Sequence, residues 1–168
     1  WAGELVLTLA GDEETMGTAG TQYLLETVPE ASGDAMICGD AGSPRVLRFG
    51  EKGMVWLDLA AVGKPAHGAH VHLGRSAIEA LMTALGRLRA LCDIAVPAPP
   101  EIAAAITAAA AVSEPISGAG ETATLGAVTV NIGTVQGGRA PNLVADAASA
   151  RLDIRIPPGL SVAEIEAR

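Results

Sequence analysis

The sequence predicts a mixed α/β chain with two differently built parts, a short βαβ segment followed by a larger α+β domain. Three observations support this fold class. Short apolar runs alternate with a helical segment in the first part, which is typical of parallel strands. After Ser43-Pro44 the strands become amphipathic, and the clearest amphipathic helix of the chain lies among them. We expect residues 1–44 to form the first part and residues 45–168 the second.

The first part is predicted to contain one parallel βαβ unit. Residues 4–10 and 35–38 are short apolar runs expected as strands, and residues 17–27 are expected as the helix between them. In parallel α/β sheets, ligands collect beyond the carboxyl ends of the strands. The residues that follow the two predicted strands are therefore candidates for a binding site.

Acidic side chains follow both of these strands. Glu13 and Glu14 come after the first strand, and Asp40 comes after the second. Carboxylates at the end of a buried strand need a positive partner, and hard divalent cations are common partners. One glutamate could hold a metal ion while its neighbour moves protons, because successive side chains of an extended segment point to opposite sides. The alternatives are an acidic turn that caps the next helix and, for Asp40, an ordinary turn beside Gly39.

The second part opens with strands and its longest helix. After a first strand beyond residue 45, residues 53–62 alternate in character and predict another strand. Residues 76–92 carry apolar side chains at three- and four-residue spacing and predict a helix with a buried stripe. Residues 100–112 predict a shorter, alanine-rich helix with proline in its first turn.

Two more strands and a last helix complete the pattern. Residues 123–135 predict a strand with a bulge near Gly126, and residues 147–156 alternate cleanly as another strand. Ser161 and Glu164 form a capping box for the final helix. The order resembles a split βαβ, ferredoxin-like β-α-β-β-α sandwich without its last strand.

Composition limits the functional classes. The 168 residues carry a net charge of -8 and are 49% apolar, which argues for a packed core and against a nucleic-acid binder that needs a basic face. No apolar run is long enough to cross a bilayer, so we expect no membrane partner and a cytoplasmic protein.

Cys38 and Cys92 lack metal or redox spacing and are expected as buried thiols. Because the chain opens with Trp1 and ends within a predicted helix, we expect a fragment of a longer protein.

Five separated stretches occur in the order of one known family. They are GDEETMGTAG (11–20), DAMICGD (34–40), GEKG (50–53), GKPAHGAHVHLGRSAI (63–78) and GTVQGGRAPNLVADAASARLDIRIPPG (133–159). With these motifs the chain resembles the dinuclear-zinc metallopeptidases and amidohydrolases that include acetylornithine deacetylase, succinyl-diaminopimelate desuccinylase, aminoacylase and glutamate carboxypeptidase. The resemblance implies a piece of the metal-binding catalytic domain in residues 1–44 and the lid, or dimerisation, domain in residues 45–168.

The resemblance also implies residue roles. Glu13 matches the general base that activates water, and Glu14 and Asp40 match metal ligands. His67 matches the lid histidine that stabilises the developing oxyanion, in several members from across the dimer. A further pair matches substrate-contacting lid residues, with an arginine fork suited to a carboxylate: Asn142 and Arg155.

By the same resemblance, the full-length parent is expected to bind two zinc ions per subunit, with cobalt or manganese as alternatives. It would cleave the amide bond of an N-acyl amino acid or small peptide with a free carboxylate, and it would be a homodimer through the lid. The upstream His-x-Asp motif, the bridging Asp and the late His of the family cannot be identified in this chain, so the fragment alone is expected to be inactive.

Two alternatives stay open at the level of sequence. The first is a non-catalytic, ferredoxin-like dimerisation module whose early acidic residues only cap a helix. The second concerns His70 and His72, which with His67 place three histidines in six residues and could form a separate zinc site in the lid.

Overall fold

The chain divides into two units, Trp1–Ala41 and Gly42–Arg168. The computed structural model describes residues 2–15, 17–39 and 42–168. Asp40, a predicted metal ligand, lies outside the described residues, so its prediction has no structural counterpart here.

The first unit contains short helical turns and one short helix. A 3₁₀ turn covers Glu13–Thr15, a π-helical turn covers Thr18–Gln22, and helix α1 follows at Tyr23–Thr27. A second 3₁₀ turn covers Pro29–Ala31. The helical prediction for residues 17–27 thus matches the described backbone.

The two predicted strands of this unit are not paired. Residues 4–10 and 35–38 form no regular secondary structure and belong to no β-ladder among the residues the structure describes. A parallel strand takes its hydrogen bonds from neighbouring strands, and residues 2–39 supply none in position to donate or accept them. The predicted pairing of these two strands is therefore not formed among the described residues of this unit.

A three-stranded antiparallel sheet forms the centre of the second unit. Its strands are β1 at Gly53–Val62, β2 at Thr129–Gly137 and β3 at Ala147–Ile156, in the order β1-β3-β2. Strand β3 lies antiparallel to both neighbours, so β1 and β2 run in the same direction on either side of it. This is the split βαβ arrangement, and the predicted mixed α/β lid fold is confirmed.

Four helices accompany this sheet among the described residues. They are α2 at Ala77–Arg89, α3 at Pro100–Ser117, α4 at Glu121–Leu125 and α5 at Val162–Glu166. Ser76 caps α2 by accepting a hydrogen bond from the Glu79 amide at 3.2 Å. The predicted capping box of Ser161 and Glu164 is present at the start of α5.

Three predicted boundaries differ from the structure. Residues 45–50 form no strand, and α4 occupies residues predicted to begin β2. Gly120, with φ of 88°, precedes α4 and turns the chain into a helix that alternation alone does not reveal. The bulge of β2 lies between Ile132 and Thr134 rather than near Gly126, because the register to β3 shifts there.

The core lies between the sheet and α2, and α5 packs at the end of the core near Ile154 and Ile156. The inward residues of β3 are buried as their alternation predicts, and α2 presents its apolar stripe to them. The buried side chains are Ala77, Leu81, Leu85, Ala148, Ala150 and Leu152 in one cluster and Leu91, Val128, Ile154, Ile156 and Ile165 in the other. Full burial of each large apolar side chain stabilises the fold by about 1.5–3 kcal/mol.

The cysteine prediction is wrong. Cys38 and Cys92 are both exposed free thiols. Cys92 lies in the turn that follows α2, where Leu91 takes the inward position and directs its neighbour outward.

No helix in the described part of the chain has both the length and the apolar character to span a membrane.

Candidate functional site

Two segments distant in sequence lie side by side at one end of the sheet. Residues 63–68, which follow β1, run antiparallel to residues 142–146, which precede β3. We call this pair the ribbon. Three backbone hydrogen bonds join its two segments: Gly63 N to Asp146 O at 2.8 Å, Val144 N to Ala66 O at 2.8 Å and Gly68 N to Asn142 O at 2.7 Å.

The ribbon holds His67 at its outer end. His67 pairs with Leu143 and ends its segment where a 3₁₀ turn, Gly68–Leu73, begins. Its Nδ1 accepts a hydrogen bond from the Ala69 amide at 3.1 Å, and its carbonyl accepts one from the His70 amide at 2.8 Å. The residue is otherwise exposed. One side of the imidazole is thus fixed to the backbone while the ring stays accessible to a ligand.

Other chain segments approach the backbone at two glycines of the ribbon, and at Gly63 they leave no room for a side chain. A Cβ on Gly63 would lie 2.3 Å from the Arg75 carbonyl oxygen and 2.4 Å from the Ala145 carbonyl oxygen. A Cβ on Gly68 would lie 3.2 Å from the carbonyl oxygen of Asn142. Sequence reasoning passed over both roles, although the two glycines bracket the GKPAHG motif and could have been recognised as close-approach positions.

The structure brings His67 and Asn142 together but leaves Arg155 apart. Asn142 is exposed and lies across the ribbon from Gly68. Arg155 lies at the far end of β3, about 27 Å along the strand from Ala147 by the usual rise per residue. Its Nε and Nη2 donate to Asp153 Oδ2 at 3.0 and 2.9 Å. Within one chain, the two residues predicted to contact substrate therefore lie at opposite ends of the sheet.

His70 and His72 line the same turn as His67. The ring centroids of His67 and His70 are 6.3 Å apart, and those of His70 and His72 are 6.0 Å apart. Residues 2–15, 17–39 and 42–168 contain no group of three or more His, Cys, Asp or Glu side chains arranged to hold a metal ion. The separate zinc site in the lid is therefore not formed in this arrangement.

Glu13 and Glu14 lie in the first unit on an exposed 3₁₀ turn. The turn is organised by Asp12, whose carboxylate accepts hydrogen bonds from the Thr15 hydroxyl and, at 2.8 Å, from the Ala19 amide. Asp12 is thus the local capping residue, and it leaves both glutamates pointing into solvent. The described residues alone do not complete a metal site around them.

Lys52 is a partly buried cation whose structural role the sequence did not predict. Its Nζ donates to the Ala127 carbonyl at 2.6 Å and to the Thr124 carbonyl at 2.9 Å, where α4 ends. Partial burial, and then the nearby Arg155 cation, lower the pKa of Lys52 below its ordinary value. The lysine ties the start of β1 to the end of α4, which is the role its place in the GEKG motif did not reveal.

The exposed face of the sheet is polar and shallowly grooved. A cavity of 230 Å³ opens at the β2 bulge and is lined by Trp56, Asp58, Gly133, Thr134, Arg151, Leu152 and Asp153. Arg151 Nε donates to Asp58 at 2.8 Å across it, with both side chains mostly in solvent. An exposed pair of this kind adds little stability. None of the ribbon residues lines this cavity.

Comparisons with known proteins place the chain in a family. The model of the peptidase dimerisation domain matches residues 49–168. The chain is 32% identical over 157 residues to a probable carboxypeptidase of Aspergillus terreus, covering 92% of this chain and 32% of that protein. It is 35% identical over 112 residues to a probable carboxypeptidase of Aspergillus clavatus, covering 66% of this chain and 20% of that protein.

A solved structure shares the fold. An M20 family metallo-carboxypeptidase from Sulfolobus solfataricus superposes with a TM-score of 0.64 at 16% identity, covering 88% of this chain and 47% of that one. The family model and the relative from Aspergillus terreus confirm the predicted family. The chain spans between 20% and 32% of the length of the two curated relatives above. The chain belongs to the M20 peptidase family, and its residues 49–168 are a peptidase dimerisation domain.

Proposed function

We propose that this chain is the lid and dimerisation part of a metal-dependent hydrolase that cleaves an amide bond in a small substrate carrying a free carboxylate. The observation that carries the proposal is the ribbon, which holds an accessible histidine beside Asn142. The names of the relatives, probable carboxypeptidase and metallo-carboxypeptidase, support a peptide as substrate. An N-acyl amino acid remains the alternative within this proposal.

In this proposal the roles divide between lid and catalytic residues. His67 donates a hydrogen bond to the oxygen of the scissile carbonyl, whose negative charge grows in the transition state. Asn142 orients the substrate, and Arg155 binds its carboxylate. Because Arg155 lies at the other end of β3, it and His67 would serve one substrate only if two subunits contribute.

The metal part of the proposal rests on residues of the first unit. Glu13 is proposed as the general base, and Glu14 and Asp40 as ligands of two zinc ions, with cobalt or manganese as alternatives. Bound zinc would supply Lewis-acid chemistry at the carbonyl. The described carboxylates are too few and too dispersed to hold it, so the remaining ligands are proposed to come from the rest of the longer parent.

The partner we propose for the lid is a second copy. Strand β2 is an edge of the sheet. Val135, within it, is 58% exposed, and Met82, on α2, is 65% exposed. Ile78, one turn before Met82, lies beside the end of β2, since a Cβ on Gly138 would be 3.2 Å from its Cδ1. An edge strand with an apolar flank pairs readily with the same edge of another copy and gives a two-fold contact.

Sedimentation of the chain tests the dimer. The double change Met82→Lys and Val135→Lys should convert a dimer to a monomer, because two charges would be buried in the contact. Val112→Lys is the matched control, since Val112 is 48% exposed on α3, away from this flank. A double variant that stays dimeric, or a control that dissociates equally, contradicts this placement.

Metal content and amide hydrolysis of the contiguous parent test the enzyme. We expect about two metal ions per subunit and turnover of N-acyl amino acids or dipeptides. Glu13→Ala should keep the metal and lose turnover, whereas Glu14→Ala should lose both. A folded parent that binds no metal and cleaves no amide would leave the non-catalytic dimerisation module as the better account.

Mixed dimers test whether subunits share a site. Parent subunits with His67→Ala are combined with subunits carrying Glu13→Ala. If His67 acts in the partner's site, one site of each mixed dimer lacks both residues and the other keeps both. Each mixed dimer should then regain about half of the normal activity, and an equal, fully exchanged mixture about a quarter. Mixtures as inactive as the separate variants would exclude sharing.

A further inference from the structure

The hydrogen bond at His67 Nδ1 defines which nitrogen of the ring can donate. A neutral imidazole carries one hydrogen, and the nitrogen without it is an acceptor. A backbone amide can only donate, and the Ala69 amide lies 3.1 Å from Nδ1. Nδ1 must therefore present its lone pair to this amide, and the ring hydrogen must be on Nε2.

The surroundings of His67 keep this arrangement in place. The carbonyl of His67 accepts from the His70 amide, and the neighbouring Gly68 amide donates to Asn142. These two bonds hold both polar groups of the peptide that joins His67 to Gly68, so the next amide, that of Ala69, cannot turn away without breaking the start of the turn. Nε2 is separated from Nδ1 by Cε1, takes no part in the bond to the Ala69 amide, and is the nitrogen left to meet a ligand.

We propose that the Ala69 backbone amide is the positioning group of the lid histidine: it selects the Nε2–H tautomer, so that Nε2, and not Nδ1, donates to the substrate oxygen. This inference deepens the proposed function and rests on it for the identity of the acceptor. The tautomer itself depends only on the geometry of the turn. The Ala69 side chain has no part in it, which is why no side-chain motif in the sequence announces the role.

Nitrogen NMR of the ¹⁵N-histidine-labelled chain reads the tautomer directly. At mildly alkaline pH, where imidazole is neutral, the ring hydrogen should be found on Nε2 of His67 and the unprotonated signal on Nδ1. The single changes His70→Asn and His72→Asn assign the three ring systems. A hydrogen on Nδ1 of His67, or equal populations of both tautomers, would overturn the inference.

Two amide replacements in the full-length parent separate capping from donation. His67→Asn keeps an oxygen near the Nδ1 position that can accept from the Ala69 amide, but it has no donor at the Nε2 position. His67→Gln places its amide nitrogen near the Nε2 position and gives up the cap. If Nε2–H is the donor, the Asn variant should lose about 10²–10³ in kcat with normal stability. The Gln variant should retain at least about tenfold more kcat than the Asn variant.

The reverse ranking would be the signature of a purely structural role. If His67 only capped the turn, the Asn variant would be active and the Gln variant would be impaired in stability and activity together. An Asn variant at least as active as the Gln variant therefore overturns the inference. Full activity in His67→Ala would instead reject the proposed catalytic role, whatever tautomer NMR finds, so the two failures can be told apart.

Discussion

Apolar segments predicted as strands are exposed in the first unit and buried in the second. The alternate leucines of residues 5–9 are 82–87% exposed, whereas the inward residues of β3 are 2–6% exposed. Residues 4–10 were predicted as a strand from their apolar run, and residues 147–156 from their alternation. The difference is that β3 has hydrogen-bonded strands on both sides and α2 packed across it, while residues 5–9 have no such partners among the described residues. An apolar pattern shows which side chains a segment can bury. Whether they are buried depends on the neighbouring strands and helices that pack against the segment.

The largest test of this comparison pairs a core leucine with an exposed one. Leu152→Ala should reduce the free energy of unfolding by about 2–5 kcal/mol, because Leu152 is 3% exposed and its loss leaves a cavity. Leu7→Ala should have little effect, because Leu7 is 82% exposed. Urea unfolding followed by circular dichroism measures both. Equal losses would mean that residues 5–9 are buried in solution.

Glycine substitutions sharpen the same contrast in the backbone. Gly63→Ala should reduce the free energy of unfolding by about 1–3 kcal/mol, since its Cβ would overlap two carbonyl oxygens of the second unit. Gly11→Ala in the first unit should be tolerated, because nothing lies within 4 Å of the added Cβ. Loss of the His67 tautomer in Gly63→Ala, seen by NMR, would show that the ribbon positions the ring. An unchanged unfolding curve for Gly63→Ala would contradict the close approach.

Removing a helix cap should lower the free energy of unfolding in the second unit but leave the main transition unchanged when the cap lies in the first unit. Ser161→Ala removes the hydroxyl that accepts from the Glu164 amide at 3.2 Å and should cost about 1 kcal/mol of unfolding free energy. Asp12→Ala removes the corresponding cap in the first unit, including the bond to the Ala19 amide. Since no described residue of the first unit belongs to either core cluster, this change should leave the main unfolding transition in place. Thermal melts of the two variants compare them, and a larger shift for Asp12→Ala would reverse the comparison.

The smallest expected effect is a pH dependence in the connection between α3 and α4. Glu114 Oε1 accepts from the Thr122 hydroxyl at 2.5 Å, and this bond, followed by the Gly120 and Thr122 amides, lowers the pKa of Glu114 below its ordinary value of 4.5. The folded state thus favours the ionised form. Its contribution is present above the ordinary pKa and is lost as pH falls through the lower folded value.

Acid titration of stability checks this sign. Glu114→Gln should weaken the loss of stability below the ordinary carboxyl pKa, and Thr122→Val should do the same by removing the donor. The double variant should add nothing further, because both changes remove one interaction. Additive effects would show that Glu114 and Thr122 act separately.

Local sequence patterns correctly predicted the elements whose defining residues lie close together in the chain. The alternation of β3, the stripe of α2 and the capping box of α5 all depend on spacing within a few residues. The misplaced start of β2 has a different origin. Gly120 precedes α4, and the Nζ of Lys52 donates to the Thr124 carbonyl in it although the two residues are 72 positions apart in the chain.

The candidate site divides in the same manner. The residue types and the GDEETMGTAG and GKPAHG motifs pointed to Glu13, Glu14 and His67, and these roles remain proposals. Nothing in the local pattern linked His67 to Asn142, excluded Arg155 from their end of the sheet, or identified the Ala69 amide as a partner of the ring. Those relations depend on which backbone groups meet across the ribbon.

By itself, the sequence determined the family, the mixed α/β class, the β3 and α2 faces and the candidate chemical groups, because each is encoded in residue type and short spacing. Only the tertiary structure decided which apolar runs are buried, where β2 begins and bulges, and which nitrogen of His67 faces outward. The physical reason is that burial and hydrogen-bond direction belong to pairs of segments. A backbone amide or carbonyl gains its partner only when the chain has folded.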